Sequence, residues 1–347
     1  MTWMIYGANG YTGKMAVAEA VRRGLKPVLA GRSAAALEPL AQQYGLPVRA
    51  FALDDLSVVE KGLCGMDVVL HCAGPFSATC GPMLEACLKT GTHYLDITGE
   101  IEVFAYCHAQ DERAKEAGIV VLPGSGFDVV PTDCMAAMLK RDLPTATELV
   151  LAFEAGGGPS PGTAKTSVEG LGKGGRARVD GALVTVPLAW KARTFERDGE
   201  QRNAMTIPWG DVYTAYISTG IPNIETYMGV PPGTVSKLRR LRLLGPLLGT
   251  SPIQRLLKWQ VAKKVRGPSE ATRGKTITTV WGEARDPSGR EVKKRMHTPN
   301  GYELTVTAAL GIVERLLKVD KPEGGYYTPS MLMGPDYVLS LSGVRMD

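Results

Sequence analysis

The chain opens with Trp3-Met4-Ile5-Tyr6-Gly7-Ala8-Asn9-Gly10-Tyr11-Thr12-Gly13. The apolar run Trp3–Tyr6 predicts a short strand, and the stretch Thr12–Arg23 predicts a helix. Three glycines with the spacing G-x-x-G-x-x-G lie before and at the helix start. A strand, a glycine-rich turn and a helix in this order are typical of the loop that holds the phosphates of a dinucleotide.

Each glycine of this turn has a predicted physical role. Gly7 lets the chain turn sharply from the strand, Gly10 allows the backbone to approach a pyrophosphate, and Gly13 allows close packing of helix and strand. The free N–H groups at the helix start and the helix dipole favour the negative charge of the phosphates. We therefore predict that the cofactor contacts the whole turn, namely Gly7, Ala8, Asn9, Gly10, Tyr11, Thr12 and Gly13.

The end of the second predicted strand, Pro27–Ala30, indicates which dinucleotide binds. NAD sites usually carry Asp or Glu here, which accepts a hydrogen bond from the ribose 2′-hydroxyl. This chain has Gly31-Arg32-Ser33 instead, with no acid. A guanidinium suits a 2′-phosphate, and a serine adds a neutral donor. We therefore predict that Arg32 and Ser33 select NADP(H) over NAD(H).

Strand and helix patterns alternate over the first part of the chain. The predicted strands are Trp3–Tyr6, Pro27–Ala30, Val48–Leu53, Asp67–Cys72, His93–Ile97 and Ile119–Leu122. The predicted helices are Thr12–Arg23, Ala34–Tyr44, Ser57–Leu63, Cys80–Lys89, Val103–Ala117 and Pro131–Lys140. Strands joined by helices predict an α/β fold with an N-terminal doubly wound (Rossmann) parallel sheet.

Short strand patterns dominate after Leu143-Pro144. The predicted strands there are Glu148–Glu154, Ala182–Pro187, Thr276–Ala284 and Lys293–His297, and predicted helical stretches run from Gly162 to about Gly181 and from Gly301 to Leu317. This pattern favours a second α+β domain on a mostly antiparallel sheet. We expect a cofactor domain over 1–145, a substrate domain over 146–318, and a tail over 319–347 that packs back on the body.

Length and composition agree with two domains. At 347 residues, with 44% apolar and 22% charged residues, the chain is typical of a globular protein with a core. No uninterrupted apolar stretch reaches roughly 18 residues, and no secretory signal opens the sequence. With the glycine motif so near to Met1, these features lead us to expect a cytoplasmic protein.

Cysteine and histidine usage argues against a metal centre. All six cysteines lie between Cys64 and Cys134 without a C-x-x-C pair, and the four histidines are scattered. Such cysteines are typical of free thiols in a reducing compartment. We predict no metal site.

The positive charge is concentrated in one segment. The net charge of the chain is +5, but residues 234–275 hold eleven Lys or Arg and one acid, Glu270, so the remainder is negative. This excludes a uniformly basic nucleic-acid binder. Leu238–Leu244 and Leu256–Trp259 mix apolar and cationic residues, which predicts either a solvated amphipathic helix or a surface that docks on an anionic membrane or acyl carrier.

The other predicted cofactor contacts lie at the carboxyl ends of the strands, where doubly wound sheets bind their ligands. The loop after the third strand is expected to reach the adenine, and the loop after the fourth to run beside the diphosphate and the nicotinamide ribose. These contacts are Asp54, Ala73, Gly74, Pro75, Phe76 and Asp96. Turns without a function remain the alternative, since Gly and Pro interrupt loops in any case.

The catalytic residue is harder to predict. A nicotinamide cofactor carries hydride chemistry, and the protein then has to supply a proton donor. The candidates near the expected cleft are Asp128, Tyr94 and Lys165, with a structural role as the alternative for each.

Several motifs together resemble a known family. They are Gly7–Gly13, Leu29-Ala30-Gly31-Arg32, His71-Cys72-Ala73-Gly74-Pro75-Phe76, His93-Tyr94-Leu95-Asp96-Ile97-Thr98-Gly99-Glu100, Gly267-Pro268-Ser269-Glu270 and Gly301-Tyr302. This combination resembles the saccharopine dehydrogenase-like oxidoreductases, and within them the trans-acting enoyl reductases of lipid and polyketide assembly. The resemblance implies NADPH-dependent reduction and leaves the substrate open.

Two other reductase classes are excluded by missing residues. N-acetyl-glutamyl-phosphate reductases need a cysteine and a histidine late in the chain, but no cysteine follows Cys134 and no histidine lies between His108 and His297. Short-chain reductases need Tyr-x-x-x-Lys, which none of the twelve tyrosines provides.

We therefore predict an NADPH-dependent reductase that acts on a C=C bond of a hydrophobic acyl substrate. Reduction of a C=N bond, as in saccharopine chemistry, is the alternative. A non-catalytic NADPH-binding protein at a membrane, or a sensor, is the alternative of another class. The sequence leaves the oligomeric state open, and a homodimer is among the options.

Overall fold

The computed structural model describes residues 2–170, 172, 174–197, 199–242, 250–318 and 322–347. The chain divides into two compact units. The first consists of Met1–Val130 with Tyr302–Gly334, and the second of Pro131–Gly301 with Pro335–Asp347. The predicted domain boundaries after residues 145 and 318 stay a prediction. The compact units begin and end elsewhere, because Tyr302–Gly334 belongs to the first unit whereas the last residues, Pro335–Asp347, belong to the second.

The first unit is built on a parallel sheet, as predicted. In the described residues its strands run in the order β15-β6-β5-β4-β1-β2-β3. Their bounds are β1 Trp3–Tyr6, β2 Val28–Gly31, β3 Val48–Ala50, β4 Val68–His71, β5 His93–Asp96, β6 Val120–Leu122 and β15 Gly325–Tyr326. Strands β1, β2, β4, β5 and β6 are buried throughout, which explains their continuous apolar runs.

Helices connect these strands. Their bounds are α1 Tyr11–Arg22, α2 Ala34–Tyr44, α3 Leu56–Leu63, α4 Phe76–Thr90, α5 Ile101–His108, α6 Asp111–Ala117, α13 Gly301–Leu316 and α14 Pro329–Met333. The single helix predicted over Val103–Ala117 is wrong, because the helical conformation is interrupted between His108 and Asp111, which gives two helices, α5 and α6. The carboxylate of Asp111 accepts a hydrogen bond from the backbone N–H of Tyr326 at 2.7 Å, which fixes the start of α6 beside the tail strand β15.

The second unit contains a mostly antiparallel sheet, as predicted. Its bounds are β7 Glu148–Glu154, β8 Gly175–Val179, β9 Ala182–Val186, β10 Ala192–Arg197, β11 Glu200–Thr206, β12 Asn223–Gly229, β13 Ile277–Arg285, β14 Glu291–Pro299 and β16 Arg345–Met346. The main path is β10-β11-β12-β7-β13-β14-β16, and the hairpin β8–β9 joins it through β12. Strands β12 and β7 pair in parallel, whereas the other pairs of this sheet are antiparallel in the described residues.

The helices of the second unit are α7 Val130–Asp142, α8 Pro161–Gly170, α9 Asp211–Thr219, α10 Thr234–Leu241, α11 Ser251–Lys264 and α12 Glu270–Arg273, with a 3₁₀-helix at Tyr337–Ser340. The predicted helical stretch to about Gly181 is wrong in its second half. Helix α8 ends at Gly170, and β8 and β9 then form a hairpin around Asp180-Gly181. Both turn residues have positive φ, 48° and 79°, which is the geometry that an Asp-Gly pair favours.

Within the described ranges, we find no helix with the combination of length and apolar character that crossing a bilayer requires.

Candidate functional site

The glycine turn forms a cradle that side chains would fill. Gly7 has φ +84° and donates its N–H to the carbonyl of Ala30 at 2.8 Å. A Cβ on Gly7 would lie 2.9 Å from the backbone nitrogen of Ala73, and a Cβ on Gly13 only 2.2 Å from the carbonyl oxygen of Gly7. At Gly10 the nearest atom of the described residues would be that same oxygen, at 3.1 Å. The turn therefore needs glycine for close packing on two sides and keeps its backbone accessible at Gly10.

Helix α1 begins directly after this turn. Gly10 precedes it with extended backbone angles, φ −72° and ψ 173°, and no side chain caps the helix. The N–H groups of an uncapped first turn and the helix dipole together attract an anion. The start of α1 therefore fits the diphosphate of a dinucleotide, and contacts of the cofactor with Gly7–Gly13 stay a prediction.

Directly after β2, Arg32 presents a cation that has no carboxylate partner among the described residues. Arg32 is exposed, and it takes part in none of the ion pairs that the described residues form. Ser33 caps α2 by accepting from the N–H of Ala36 at 3.4 Å, so its hydroxyl proton is still available to a ligand. Asn9 of the glycine turn lies beside this strand end, since a Cβ on Gly31 would be 3.4 Å from its Oδ1. The Arg32 guanidinium and the Ser33 hydroxyl, with Asn9 beside them, fit a 2′-phosphate.

Asp54 follows β3 and is also exposed. Burial raises the pKa of Tyr6 to about 12, with Arg32 lowering it and Asp54 raising it. Both charges therefore act on the same tyrosine hydroxyl, which donates to the carbonyl of Phe51 at 2.9 Å. This places Arg32 and Asp54 within electrostatic reach of one strand edge. A contact between Asp54 and the adenine stays a prediction.

The loop after β4 carries the predicted contacts Ala73, Gly74, Pro75 and Phe76, and a carboxylate anchors it. The backbone N–H groups of Phe76 and Ser77, at the start of α4, donate to the two carboxylate oxygens of Glu100, each at 2.9 Å. The Thr79 hydroxyl donates to the carbonyl of Ala73 at 2.8 Å. The Glu100 carboxylate already accepts hydrogen bonds from the N–H groups at the start of α4. We therefore expect the cofactor phosphates to bind at the start of α1, where no side chain caps the helix.

Glu100 was missed as a site residue by the sequence analysis. It stands directly before α5, where its N–H donates to the Thr98 hydroxyl at 3.0 Å. The sequence does show an acid in the loop that follows β5. It does not indicate that this acid contacts the N–H groups of Phe76 and Ser77.

Asp96 at the end of β5 holds the neighbouring loops together. Its carboxylate accepts from the N–H groups of Thr98 and Gly124, both at 2.9 Å, and from the Tyr94 hydroxyl at 2.6 Å. Burial raises the pKa of Asp96 to about 6 in spite of these hydrogen bonds. The side chain is inaccessible to solvent. The geometry therefore favours a supporting role for Asp96 over the predicted direct contact with the cofactor.

Asp128 ends the loop after β6, on the same edge of the sheet. A Cβ on Gly99 would lie 3.0 Å from its Oδ2, so Asp128 packs against the loop that carries Glu100. Burial, with the negative charge of Glu100 as a second cause, raises the pKa of Asp128 to about 7. The N–H of Phe127 donates to the Thr305 hydroxyl at 3.0 Å, which fixes the loop. A half-buried carboxyl that titrates near neutrality is suited to proton transfer.

The other two predicted catalytic residues are placed differently. Tyr94 is fully buried, and its hydroxyl donates to Asp96. Burial holds the pKa of Tyr94 well above its usual value, which favours a structural role. Lys165 belongs to α8, but its side chain lies outside the described part of the structure, so its role stays a prediction.

The described parts of the basic segment 234–275 contain three helices of the second unit, α10, α11 and α12. Leu256 and Trp259 of α11 are each 53% exposed, and the Lys263 ammonium lies 3.9 Å from the centre of the Trp259 ring. Helix α10 has no buried residue. Leu243 and Leu244 lie outside the described residues.

The anchoring of α4 by Glu100 is testable by substitution. We expect Glu100→Gln to destabilise the first turn of α4 by about 1–2 kcal/mol, because an amide offers one acceptor where the carboxylate satisfies two N–H groups. Hydrogen exchange should show faster exchange of the Phe76 and Ser77 amides. Glu102→Gln, an exposed change in α5 two residues after Glu100, is the matched control, and equal exchange in both variants would contradict the anchor.

The comparisons with known proteins agree with this geometry. Residues 3–122 match the model of the family described as "Saccharopine dehydrogenase NADP binding domain". The chain is 28% identical over 203 residues to the saccharopine dehydrogenase-like oxidoreductase of Mus musculus, covering 50% of this chain and 47% of that protein. It is 32% identical over 154 residues to the trans-acting enoyl reductase of Mycobacterium leprae (strain TN), covering 40% and 35%. The chain thus spans about half the length of the curated relatives it matches, or less.

A solved structure extends the similarity of the fold over the whole chain. Apo histidine-tagged saccharopine dehydrogenase (L-Glu forming) from Saccharomyces cerevisiae superposes with a TM-score of 0.68 over 100% of this chain and 99% of that one, at 11% identity. The predicted fold class, family resemblance and NADP(H) cofactor are confirmed, and the relatives support the predicted oxidoreductase class. Residues 3–122 of this chain therefore match an NADP-binding domain of the kind found in saccharopine dehydrogenases.

Proposed function

We propose that this protein is an NADPH-dependent reductase that transfers hydride to a C=C bond of a hydrophobic acyl substrate. The observation that carries the proposal is the position of Asp128. A carboxyl whose pKa is raised to about 7 lies on the strand edge that also holds the glycine turn and Arg32. An NADP-binding domain alone needs no such group, whereas a reductase needs a proton source beside the reduced carbon.

The residues present fit the cofactor. The N–H groups at the start of α1 would hold the diphosphate, and Arg32 with Ser33 would hold the 2′-phosphate. The loop from Ala73 to Phe76, fixed by Glu100, would lie along the nicotinamide half. When bound, NADPH supplies a hydride; Asp128 would supply the proton.

Reduction of a C=C bond needs one hydride and one proton, and Asp128 would deliver the proton. The hydride would add to the β-carbon of an α,β-unsaturated thioester, the C=C π bond would break, and the α-carbon would take up the proton that Asp128 supplies. The carboxyl of Asp128 loses that proton and regains it from solvent. Similarity to an enzyme named trans-acting enoyl reductase favours this acceptor over a C=N bond, for which the similarity to saccharopine dehydrogenase-like oxidoreductases is the support.

Arg32 should decide between the two nicotinamide dinucleotides. We expect Arg32→Glu to weaken NADPH binding about 30- to 100-fold, because a charge-assisted contact worth about 2–3 kcal/mol is replaced by repulsion of the 2′-phosphate. NADH binding should change little. Fluorescence titration with both cofactors measures this, and Lys26→Glu, exposed and ahead of β2, controls for net charge. Equal losses for NADPH and NADH would refute the assignment of Arg32.

Turnover should identify the acceptor and the proton donor. We expect NADPH oxidation with long-chain α,β-unsaturated thioesters and slower or no oxidation with cyclic imines. Because Asp128 must be protonated to donate, kcat should fall as the pH rises through about 7. Asp128→Asn should lower kcat about 100-fold with little change in the Kd for NADPH.

Three outcomes would count against parts of this proposal. Faster turnover of imines would favour C=N reduction. Unchanged kcat in Asp128→Asn would remove Asp128 from the reaction. Tight NADPH binding without turnover of any acceptor would favour a non-catalytic NADPH-binding protein.

We further propose that α11 docks on an anionic membrane surface, which would bring the enzyme to a hydrophobic substrate. Leu256 and Trp259 lie three residues apart and are both exposed. The exposed cations Arg255, Lys263 and Lys264 flank them. Apolar side chains with lysine and arginine beside them are typical of helices that lie in the headgroup region.

The docking proposal predicts a loss of vesicle binding. We expect Leu256→Ser with Trp259→Ser to reduce cosedimentation with phosphatidylserine-containing vesicles at least about tenfold, since each side chain contributes about 1.5–3 kcal/mol on burial. Vesicles of phosphatidylcholine alone should bind weakly. Met331→Ser, 45% exposed in the first unit, is the control. Undiminished binding of the double variant would reject the docking surface, and a specific loss of acyl-carrier binding instead would assign it to a protein partner.

A further inference from the structure

A buried histidine ends β4, just ahead of the loop from Ala73 to Phe76. His71 is inaccessible to solvent. Three aromatic rings surround its imidazole, with centroid distances of 5.5 Å to Tyr6, 5.4 Å to Phe76 and 6.3 Å to Tyr94. The contact with Phe76 is edge-to-face, with an angle of 87° between the rings. His71 therefore packs directly against one of the predicted cofactor contacts.

The imidazole is also hydrogen-bonded to α4 through Thr79. The Nε2 of His71 lies 2.9 Å from the Thr79 hydroxyl oxygen. That hydroxyl donates to the carbonyl of Ala73 at 2.8 Å, and the carbonyl of Pro75 shares the proton at 3.1 Å. A hydroxyl has only one proton to donate, so the Nε2 of His71 is the donor in its contact with Thr79. His71 is thus the Nε2–H tautomer. We call this chain of hydrogen bonds the His71–Thr79 relay.

The other ring nitrogen of His71 explains why the relay needs a function. The Nδ1 is buried and has no hydrogen-bond partner among the described residues. Burial also lowers the pKa of His71 to about 3, so the ring is neutral. A buried acceptor without a partner costs free energy, which an apolar side chain at this position would avoid. What histidine adds over an apolar residue is the donor at Nε2.

The two acceptors of the Thr79 hydroxyl differ in meaning. A threonine in a helix commonly bonds the carbonyl four residues earlier, which here is that of Pro75. Ala73 lies outside α4, so the shorter bond to its carbonyl reaches back onto the loop. Glu100 holds the N–H groups at the other end of this loop. Gly74 and Pro75 between these contacts are exposed, which leaves the loop accessible to a ligand.

We propose that His71, acting through Thr79, is a positioning residue that fixes the loop from Ala73 to Phe76 beside the nicotinamide half of NADPH. This inference rests on the proposed function, which lays that loop along the nicotinamide. A loop that is ordered before binding lowers the cost of holding the ring in the geometry that hydride transfer needs. The phosphates are assigned to the start of α1 and to Arg32, away from the relay. The relay should therefore act on kcat more than on the affinity for NADPH.

Substitutions at Thr79 separate these two effects. Thr79→Val removes the hydroxyl with little change of shape, and Thr79→Ser retains it. We expect Thr79→Val to lower kcat about tenfold while the Kd for NADPH changes less than about twofold, and Thr79→Ser to keep most of kcat. Thr90→Val is the matched control, because the Thr90 hydroxyl donates to the carbonyl of Ala86 at 2.9 Å, near the other end of the same helix.

Two further measurements test the relay without turnover. Nitrogen-15 NMR should show the Nε2–H tautomer of His71, with no titration between about pH 5 and 8, because its pKa is lowered to about 3. The fluorescence of bound NADPH reports the surroundings of the nicotinamide ring. It should fall towards that of free NADPH in Thr79→Val and in His71→Leu. His71→Gln should restore it, because the glutamine amide carries a donor as many bonds from the Cβ as Nε2.

The outcomes distinguish the relay from the proposed reaction. NADPH binding without turnover of any acceptor would reject the reaction, and the fluorescence and the NMR spectra would still decide on the relay. An Nδ1–H tautomer, or titration of His71 near about pH 6.5, would overturn the assignment of the donor. Wild-type kcat and fluorescence in Thr79→Val, or equal losses in Thr90→Val, would overturn the positioning role. If His71→Leu fails to fold, as circular dichroism would reveal, Thr79→Val and Thr79→Ser decide by themselves, and equal losses in both would reject the role of the hydroxyl.

Discussion

The cofactor-binding unit depends on one steric constraint, the approach of α1 to the turn after β1. The carbonyl oxygen of Gly7 occupies the place that a Cβ on Gly13 would need, 2.2 Å away. Gly7 itself abuts the loop after β4. This packing brings the start of α1, the end of β2 and the loop after β4 to one edge of the parallel sheet. The phosphate site is therefore a consequence of how tightly strand, helix and loop pack.

Three carboxylates on the neighbouring strands have different roles because their surroundings differ. Asp96 is buried and accepts three hydrogen bonds, so it joins the loops after β5 and β6. Glu100 satisfies the two N–H groups at the start of α4. Asp128 lies against the same loop, and burial together with the charge of Glu100 raises its pKa to about 7. Two of the carboxylates thus build the loops, and the third is suited to proton transfer.

Local signals made much of the first unit predictable. The buried parallel strands appear in the sequence as apolar runs. The glycine turn together with Arg32 indicates NADP(H) from the sequence alone. Contacts between distant segments were not predictable. For example, the contact of Glu100 with the N–H groups of α4 depends on the pairing of β4 with β5, which the local sequence does not show. The seventh strand of the parallel sheet, β15, also comes from a distant segment. In the second unit the Asp180-Gly181 pair carries a hairpin signal, and the helical interpretation of that stretch was wrong because it did not take this turn signal into account.

A crystal structure of the protein with NADP⁺ tests the central claim most directly. The account predicts the diphosphate at the N–H groups that begin α1, the 2′-phosphate in hydrogen-bond contact with Arg32, and the nicotinamide on the side of Asp128. A dinucleotide bound away from this edge, or a crevice closed by the protein's own side chains, would contradict it.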